Sequence, residues 1–407
     1  TNPVSKTHPW TWFYKAINNA NTFLANVDSS PLTDAEKESS KKEARFLRAY
    51  YYHQLFRWFG PLVISTEELD PFAFETTERA DLATTVKFIV DEFDALIGPD
   101  GLPDSYNAAN YGRATRGMAM AFKARTLLYA ASELHKESGV TWAEAAKAAK
   151  DLIDTNLYAL HYDDNGDRNY ARVFNTRVNK EIILSYLCGD SDAMMRCFPA
   201  WSPWNSNKEL FTCATQWLVD SYDMLDGSEP ITGYNGLQPI INPESGYDEQ
   251  NPYANRDPRL DQTILHHNSV WPLVDGTPRK LDLTEPQKMG SGYFLLKWLD
   301  NRVDYQKGGK SQQNFTLMRY AEVLLNYAEA INEAENTNEG RVKAVAALNE
   351  IRKRAGITKD LDAGKFNQST LRDRIRKERR VELCFEEHRF FDIRRWKIAK
   401  DVMNRPA

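Results

Sequence analysis

The side chains that do chemistry (acids, histidines, cysteines and small nucleophiles) stand in patterns that give poor catalytic signals. No G-x-S-x-G, H-E-x-x-H or P-loop occurs, and Gly290-Ser291-Gly292 lacks the flanking strand and helix that a nucleophile elbow requires. Asp163, Asn165 and Asp167 repeat like the opening of a calcium loop. However, Arg168 stands where the loop needs its glycine and Phe174 where it needs its bidentate glutamate, so a polar turn is expected and no metal. His266-His267 is a lone pair in a loop-like stretch, with packing or solvent exposure as its expected role. Cys188, Cys197, Cys213 and Cys384 form no C-x-x-C; a Cys188–Cys197 disulfide and buried free thiols both remain open. A carboxylate pair for glycoside hydrolysis is set only in three dimensions, and acids are abundant. No catalytic residue and no cofactor is assigned.

Aromatic residues are the unusual feature: 10 Trp and 19 Tyr in 407 residues. Such rings offer large rigid contact area with a polar handle, in cores and at binding surfaces alike. The net charge of −5 gives no basic face for nucleic acid. No apolar run is long enough to span a bilayer. Thr1 is followed by neither a basic nor an apolar leader region, so the start is read as trimmed.

Periodicity divides the chain into a helical front (1–154), an irregular aromatic-rich middle (155–316) and a helical back (317–407), taken together as one domain over 1–407. Ala44, Leu47, Tyr51, Leu55 and Trp58 recur at helical spacing until Gly60-Pro61. Leu82, Val86, Ile89, Phe93 and Leu96 form a second stripe, and Met118, Ala121, Leu128 and Ala131 a third. Thr141 to Glu144 reads as a capping box opening a fourth. Glu181 to Tyr186 suggests an isolated strand. Helix resumes at Leu317, continues through Val345, Leu348 and Ile351 to a cap at Gly356, and ends in a charged helix over about 369–387. Ala121 with Ala124, Ala145 with Ala149, and Ala344 with Ala347 let paired helices approach closely. The expected fold is mostly α, a tetratricopeptide-like scaffold of helix pairs carrying a loop-rich excursion.

Three segments together resemble the SusD/RagB family of outer-membrane nutrient-binding lipoproteins. They are Glu43-Ala44-Arg45-Phe46-Leu47-Arg48-Ala49-Tyr50-Tyr51-Tyr52 running on to Phe59-Gly60-Pro61, then Asn255-Arg256-Asp257-Pro258-Arg259-Leu260, and then Leu317 to Leu325 with Glu378-Arg379-Arg380-Val381-Glu382-Leu383 and His388 to Trp396. The resemblance covers nearly the whole chain. It implies a protein lipid-anchored on the extracellular face of the outer membrane, a SusC-like TonB-dependent transporter as partner, and capture of glycan, or in some members peptide, for that transporter. No lipidated Cys stands near Thr1, and the family's C-terminal tail is short after Trp396, so the anchor is expected outside this chain. An all-helical glycoside hydrolase is the alternative from another class.

On that reading the ligand site uses aromatics, because the apolar face of a sugar ring lies flat on a Trp or Tyr while its hydroxyls meet polar groups at the edge. The best local cluster is Trp201 and Trp204 with Asn205 and Asn207, held between Pro199 and Pro203. Trp271, Tyr234 and Tyr247 lie in similar irregular context, and Trp10 and Trp12 precede the first matching helix, where some family members place a binding Trp. Trp142 and Trp396 are expected in the core. Arg379, Arg380, Glu382, Glu386 and Arg389 are expected on a solvated, self-neutralising helix face, and Arg256-Asp257-Pro258-Arg259 as a turn held by charge-assisted hydrogen bonds.

Overall fold

Capping residues set the helix starts. Thr33 and Thr141 each accept a hydrogen bond from the N3 backbone, while Glu36 and Glu144 accept one from the threonine N–H, closing two capping boxes. Asp81 and Thr115 cap two further helices. The computed structural model describes residues 8–68, 78–163, 169–189, 212–274, 277–280, 291–300, 303 and 309–403, with 271–274 and 277–279 described through their backbone. It is mostly α. The front comprises α1 (Pro9–Asn26), α2 (Asp34–Phe59), α3 (Leu82–Ile97), α4 (Arg116–Ala131) and α5 (Trp142–Asp154), each packed on the next. Gly60, at φ +71°, stops α2. Ala121, Ala124, Ala145 and Ala149 are buried, as close helix approach requires.

The chain forms two compact units. The first holds residues 1–157, 326–340 and 389–402. In it Val86, Ile89, Phe93 and Leu96 bury the face that their spacing predicts. The stripe read on α2 needs correction: Leu47 is 45% exposed, while Phe46, Ala49, Tyr52 and Phe56 are buried beside Ala44 and Leu55. Arg48 is the reason. It lies on the inner side, paired with Glu92 at 2.8 Å and donating to Asn21 at 3.0 Å, so a charged residue interrupts the apolar face and displaces its apparent centre. Trp396 is buried and donates to Glu329 at 2.7 Å, whereas Trp142, expected in the core, is only half-buried at the first position of α5.

The second unit holds residues 158–325, 341–388 and 403–407. Its middle stretch is built from short elements: α6 (Asn169–Asn175), β1 (Ile182–Tyr186), α7 (Gln216–Val219), β2 (Ile231–Asn235), β3 (Gln238–Ile241), α8 (Arg259–Thr263), β4 (Ile264–Leu265), β5 (Val270–Val274), β6 (Thr277–Lys280), β7 (Phe294–Leu295) and β8 (Phe315–Arg319). The strands pair antiparallel as β1–β8, β2–β3, β4–β7 and β5–β6. Leu317, read as the start of a helix, lies in β8, and α9 (Tyr320–Ala334) begins three residues later. There follow α10 (Asn338–Ala355), with Gly356 beyond it at φ +90°, then α11 (Gln368–Glu382), α12 (Arg389–Arg395) and α13 (Ala399–Met403).

The charged helix departs most from its sequence reading. α11 ends at Glu382, and Arg379, Glu382 and Glu386 are buried, so the face is self-neutralising but not solvated. Arg319 meets Glu181 and Glu382 at 2.7 Å and Glu386 at 2.7 Å. Arg354 meets Glu181 at 2.6 Å and also pairs with Glu382. Arg259 joins Asp257, Glu378 and Glu382 at 2.7 to 2.8 Å. Arg352 and Arg374 reach Asp223 and Glu378, and Lys297 reaches Glu386 at 2.5 Å. Burying ions is costly, and the arrangement is tolerable because each charge has several opposite partners. Burial alone would raise the Glu382 pKa, but the guanidiniums of Arg354, Arg319 and Arg259 outweigh it and hold the carboxyl well below its usual range.

Candidate functional site

In the second unit, Trp217 stands on the four-residue helix α7 between Gln216 and Leu218. The Cys213–Phe294 bridge and the bond from Ala214 N–H to the Tyr293 carbonyl, at 3.0 Å, tie the approach to α7 against the segment carrying Tyr293. Beyond α7, Leu225 N–H donates to the Asn255 carbonyl at 2.7 Å and Asp257 N–H to the Asp223 carbonyl at 2.8 Å, fixing the Tyr253–Arg256 turn alongside. Tyr234 stands on β2, just before the hairpin turn at Gly236 (φ +64°), and its ring lies 3.6 Å from that of Trp217, centroid to centroid. Tyr253 stacks on His266 at 3.7 Å and 17°. Tyr247 lies over the Arg256 guanidinium at 5.3 Å. Beneath Tyr253 and Tyr293 is an apolar floor of Ala214, Val219, Tyr222, Leu260, Ile264 and Val381. The side chains of Trp217, Tyr234, Tyr247, Tyr253 and Tyr293 are all half-buried.

A chain of hydrogen bonds holds these rings. Tyr253 donates its hydroxyl proton to the Tyr293 oxygen at 3.3 Å, and Tyr293 donates to Gln216 Oε1 at 2.8 Å. Gln216 Nε2 donates to Asp220 Oδ1 at 2.8 Å, and Tyr234 donates to Asp220 Oδ2 at 2.5 Å. Asp220, one turn along from Gln216 and 8% exposed, is therefore the common acceptor. Burial raises the Tyr293 pKa far above the usual phenol value, so the hydroxyl keeps its proton. Burial likewise raises the Tyr247 pKa. Burial lowers the Arg256 pKa, against the pull of Tyr247 and Asp220. The arrangement offers flat apolar ring faces beside fixed oxygen atoms, which suits a ring with one apolar face and polar edges.

Among the residues singled out from sequence, Tyr234 and Tyr247 lie in this cluster, and both interact with Asp220. Trp271 lies on β5 opposite Arg279. Trp201, Trp204, Asn205 and Asn207 lie outside the described residues. Trp10 and Trp12 are in the other unit: Trp10 packs on Tyr14 and Phe59 beneath Arg79, while Trp12 is 57% exposed on α1. Sequence reading missed Trp217, Tyr253, Tyr293, Gln216 and Asp220. The only signal for them was the i,i+4 spacing of Gln216 and Asp220 around a Trp. His266 packs: it is 5% exposed, with Nε2 2.7 Å from Asp261 and Nδ1 2.8 Å from the His267 carbonyl. Arg256 donates to the carbonyls of Pro252, Val219 and Tyr222 at 2.7 to 2.9 Å, and Arg259 grips Asp257, as expected of a structural turn. Asp163 pairs with Arg172 at 3.3 Å, and among the described residues no group of His, Cys, Asp and Glu could hold a metal. Cys384 is a buried thiol 3.3 Å from the Tyr222 hydroxyl, while Cys197 lies outside the described residues.

Comparison with known proteins places this geometry in context. A curated relative, the SusD-like protein P25 of Formosa agariphila, is 24% identical over 98% of this chain and 72% of its own length. A solved SusD-like protein from Bacteroides fragilis is 28% identical with a TM-score of 0.79, over 97% of this chain and 75% of that chain. A second from the same species, described as a SusD-like carbohydrate binding protein, is 26% identical with a TM-score of 0.76, over 97% of this chain and 74% of that chain. Residues 2–128 match the family described as starch-binding, associating with outer membrane. Residues 155–407, more than half of the chain, match the SusD family, and this protein belongs to it.

Proposed function

We propose that this chain captures a glycan on the aromatic cluster around Trp217 and Tyr234 and passes it to a SusC-like TonB-dependent transporter, while held on the extracellular face of the outer membrane by a lipid anchor outside residues 1–407. The observation that carries the binding reading is the hydrogen-bond chain from Tyr253 to Asp220, which fixes several half-buried rings in advance of any ligand. Rings already ordered lose little entropy on binding, so even a shallow platform grips. The carbohydrate-binding description of the B. fragilis relative and the starch-binding description matched by the front of the chain support a glycan. Among the described residues no helix is long and apolar enough to cross a membrane. Capture needs grip and release and no transition-state stabilisation. Asp220 has both oxygens engaged by Tyr234 and Gln216, an arrangement suited to holding rings in place.

The test is a polysaccharide and oligosaccharide panel, read by retarded migration in affinity gels and confirmed by calorimetry. Saturable binding without release of reducing sugar is expected. Binding should fall by at least about tenfold in Trp217→Ala, the loss of a central aromatic anchor. Parallel variants at Trp201, Trp204, Trp271 and Trp12 show whether those rings share the ligand. Binding only to peptides, or release of sugar, would overturn the reading.

A further inference from the structure

His266 adjoins the ring cluster without belonging to its hydrogen-bond chain. It follows β4 directly, and its ring lies 3.7 Å from that of Tyr253 at 17°, a face-to-face stack. Its two nitrogens meet two different groups. Nε2 lies 2.7 Å from the Asp261 carboxylate, and Nδ1 lies 2.8 Å from the His267 carbonyl. Neither partner has a proton to give, so both nitrogens must donate. A neutral imidazole carries one N–H and an imidazolium two. The full set of contacts therefore needs the protonated ring. At 5% exposure, that ring has little access to water in place of either partner.

Removal of that proton has a directed consequence. The carbonyl at Nδ1 is fixed by the backbone, whereas the Asp261 side chain is exposed and can turn to water. Neutral His266 keeps its N–H on the carbonyl and presents a lone pair to the carboxylate, so the Asp261 contact opens. Tyr253 then loses the cation on its ring face. That ring begins the hydrogen-bond chain: its hydroxyl donates to Tyr293, and Tyr293 donates to Gln216 beside Trp217. The groups packed around His266 leave Asp261 as its ionic partner among the described residues. On α8, Arg259 is committed to Asp257, Glu378 and Glu382. On the turn that carries Tyr253, Arg256 is spent on the carbonyls of Pro252, Val219 and Tyr222. β7, paired with β4, is Phe294–Leu295 and has no titratable group. Beyond it, Lys297 reaches Glu386 and the carbonyls of Glu382 and Cys384.

From this geometry we infer that His266 and Asp261 are positioning residues: the imidazolium, held by the carboxylate, seats Tyr253, and glycan grip weakens as pH rises through the titration of His266. The inference rests on the glycan-capture reading above and adds its regulation by pH.

The experiment follows the full chain, isotope-labelled at histidine and tyrosine, by NMR from about pH 5 to about pH 8, the range in which histidine charge changes. His266→Gln and Tyr253→Phe assign the two rings. At the acid end both His266 nitrogens are expected to carry protons, and the Tyr253 ring signal should move in step with His266 as pH rises. Affinity for the tightest-binding sugar of the panel above, measured by calorimetry at each pH, should fall at least about threefold across the same step, as expected for loss of one cation from a ring face. Asp261→Asn removes the carboxylate and should move the NMR step and the affinity step together to lower pH. His267→Gln keeps the backbone carbonyl and should leave both in place. His266→Gln should make affinity flat over the range, whereas a packing role alone would couple neither step to pH. If His266 carries one proton throughout, keeps two throughout, or titrates with Tyr253 and affinity unmoved, the inference is overturned while glycan capture stands. If no sugar binds at any pH, the capture reading fails and the inference about grip falls with it.

Discussion

At the scale of single residues, Asp220 determines the cluster. As a carboxylate it accepts from Tyr234 and Gln216 at once, and that double acceptance sets the direction of every bond upstream. Asp220→Asn keeps the volume but turns one acceptor into a donor. An amide N–H then faces either the Tyr234 hydroxyl or the Gln216 amide, and one part-buried bond is lost. The expected cost is about 0.5–1.5 kcal/mol in stability, read as a lower urea midpoint at unchanged slope, together with weaker glycan binding. Trp217→Ala makes a contrasting case. Its ring is half-buried on a short surface helix, so binding should fall much further than stability. A melt lowered as much as that of a core truncation would show that Trp217 is a packing residue.

At the scale of elements, α11 reverses the ordinary rule that a strongly charged helix faces water. Its acids Glu378 and Glu382 meet arginines from α8, β8 and α10. Glu382→Gln leaves Arg259, Arg319 and Arg354 buried with too little negative charge, and should cost about 3–5 kcal/mol. Asp373→Asn, on the exposed side of the same helix, should change stability by no more than about 0.5 kcal/mol. Comparing the two by chemical denaturation separates the buried network from helix electrostatics in general. The network also constrains a turn. Gly227 sits at φ +83°, and a Cβ there would collide with the Arg352 guanidinium. Gly227→Ala should therefore destabilise by more than the roughly 1 kcal/mol of left-handed backbone strain alone, and in a double-mutant cycle part of its cost should couple to Arg352→Met.

At the scale of the whole chain, the two units should respond differently to acid. The first buries His53 and His135 in neutral form. Burial first, then nearby arginines, pushes the His53 pKa well below its usual value, and burial lowers that of His135 from 6.5 to about 4. A histidine whose pKa is depressed by folding takes up its proton first in the unfolded chain. Stability is therefore lost as pH falls from 6.5 towards 4, by up to about 3 kcal/mol for His135. In the second unit, arginines outweigh burial to hold Asp223, Glu378, Glu382 and Glu386 below their usual range. Their contribution is complete above the unfolded carboxylate pKa and is lost only as pH falls through about 4 and below. Hydrogen exchange at pH 5 should thus show protection falling in α2 and α4, which carry and surround His53, while α11 keeps its protection. Equal loss in both units at that pH would contradict this ordering.

The parts of the fold legible in the sequence were those decided within one or two turns of chain. The capping box at Thr141, the stops at Gly60 and Gly356, and the stripe of α3 depend on neighbours three or four residues away. The apolar stripe of α2 misled because Arg48 turns inward to Glu92, a partner 44 residues away. The charges of α11 read as a surface because Glu181, Asp257 and Arg319, which make their burial possible, lie far away along the chain. The same limit applies to the candidate site. Tyr234 and Tyr247 could be named from their aromatic, irregular surroundings, but nothing local to Trp217, Tyr253 or Tyr293 distinguishes a site ring from a core ring. Sequence by itself determined where helices with local caps and stops begin or end, as at Thr141, Gly60 and Gly356, and to which family the motifs point. Which charges are buried and which rings share one hydrogen-bond chain was decided by tertiary structure, because ion pairs and ring contacts depend on distance in space and these partners are brought together only when remote segments fold against one another.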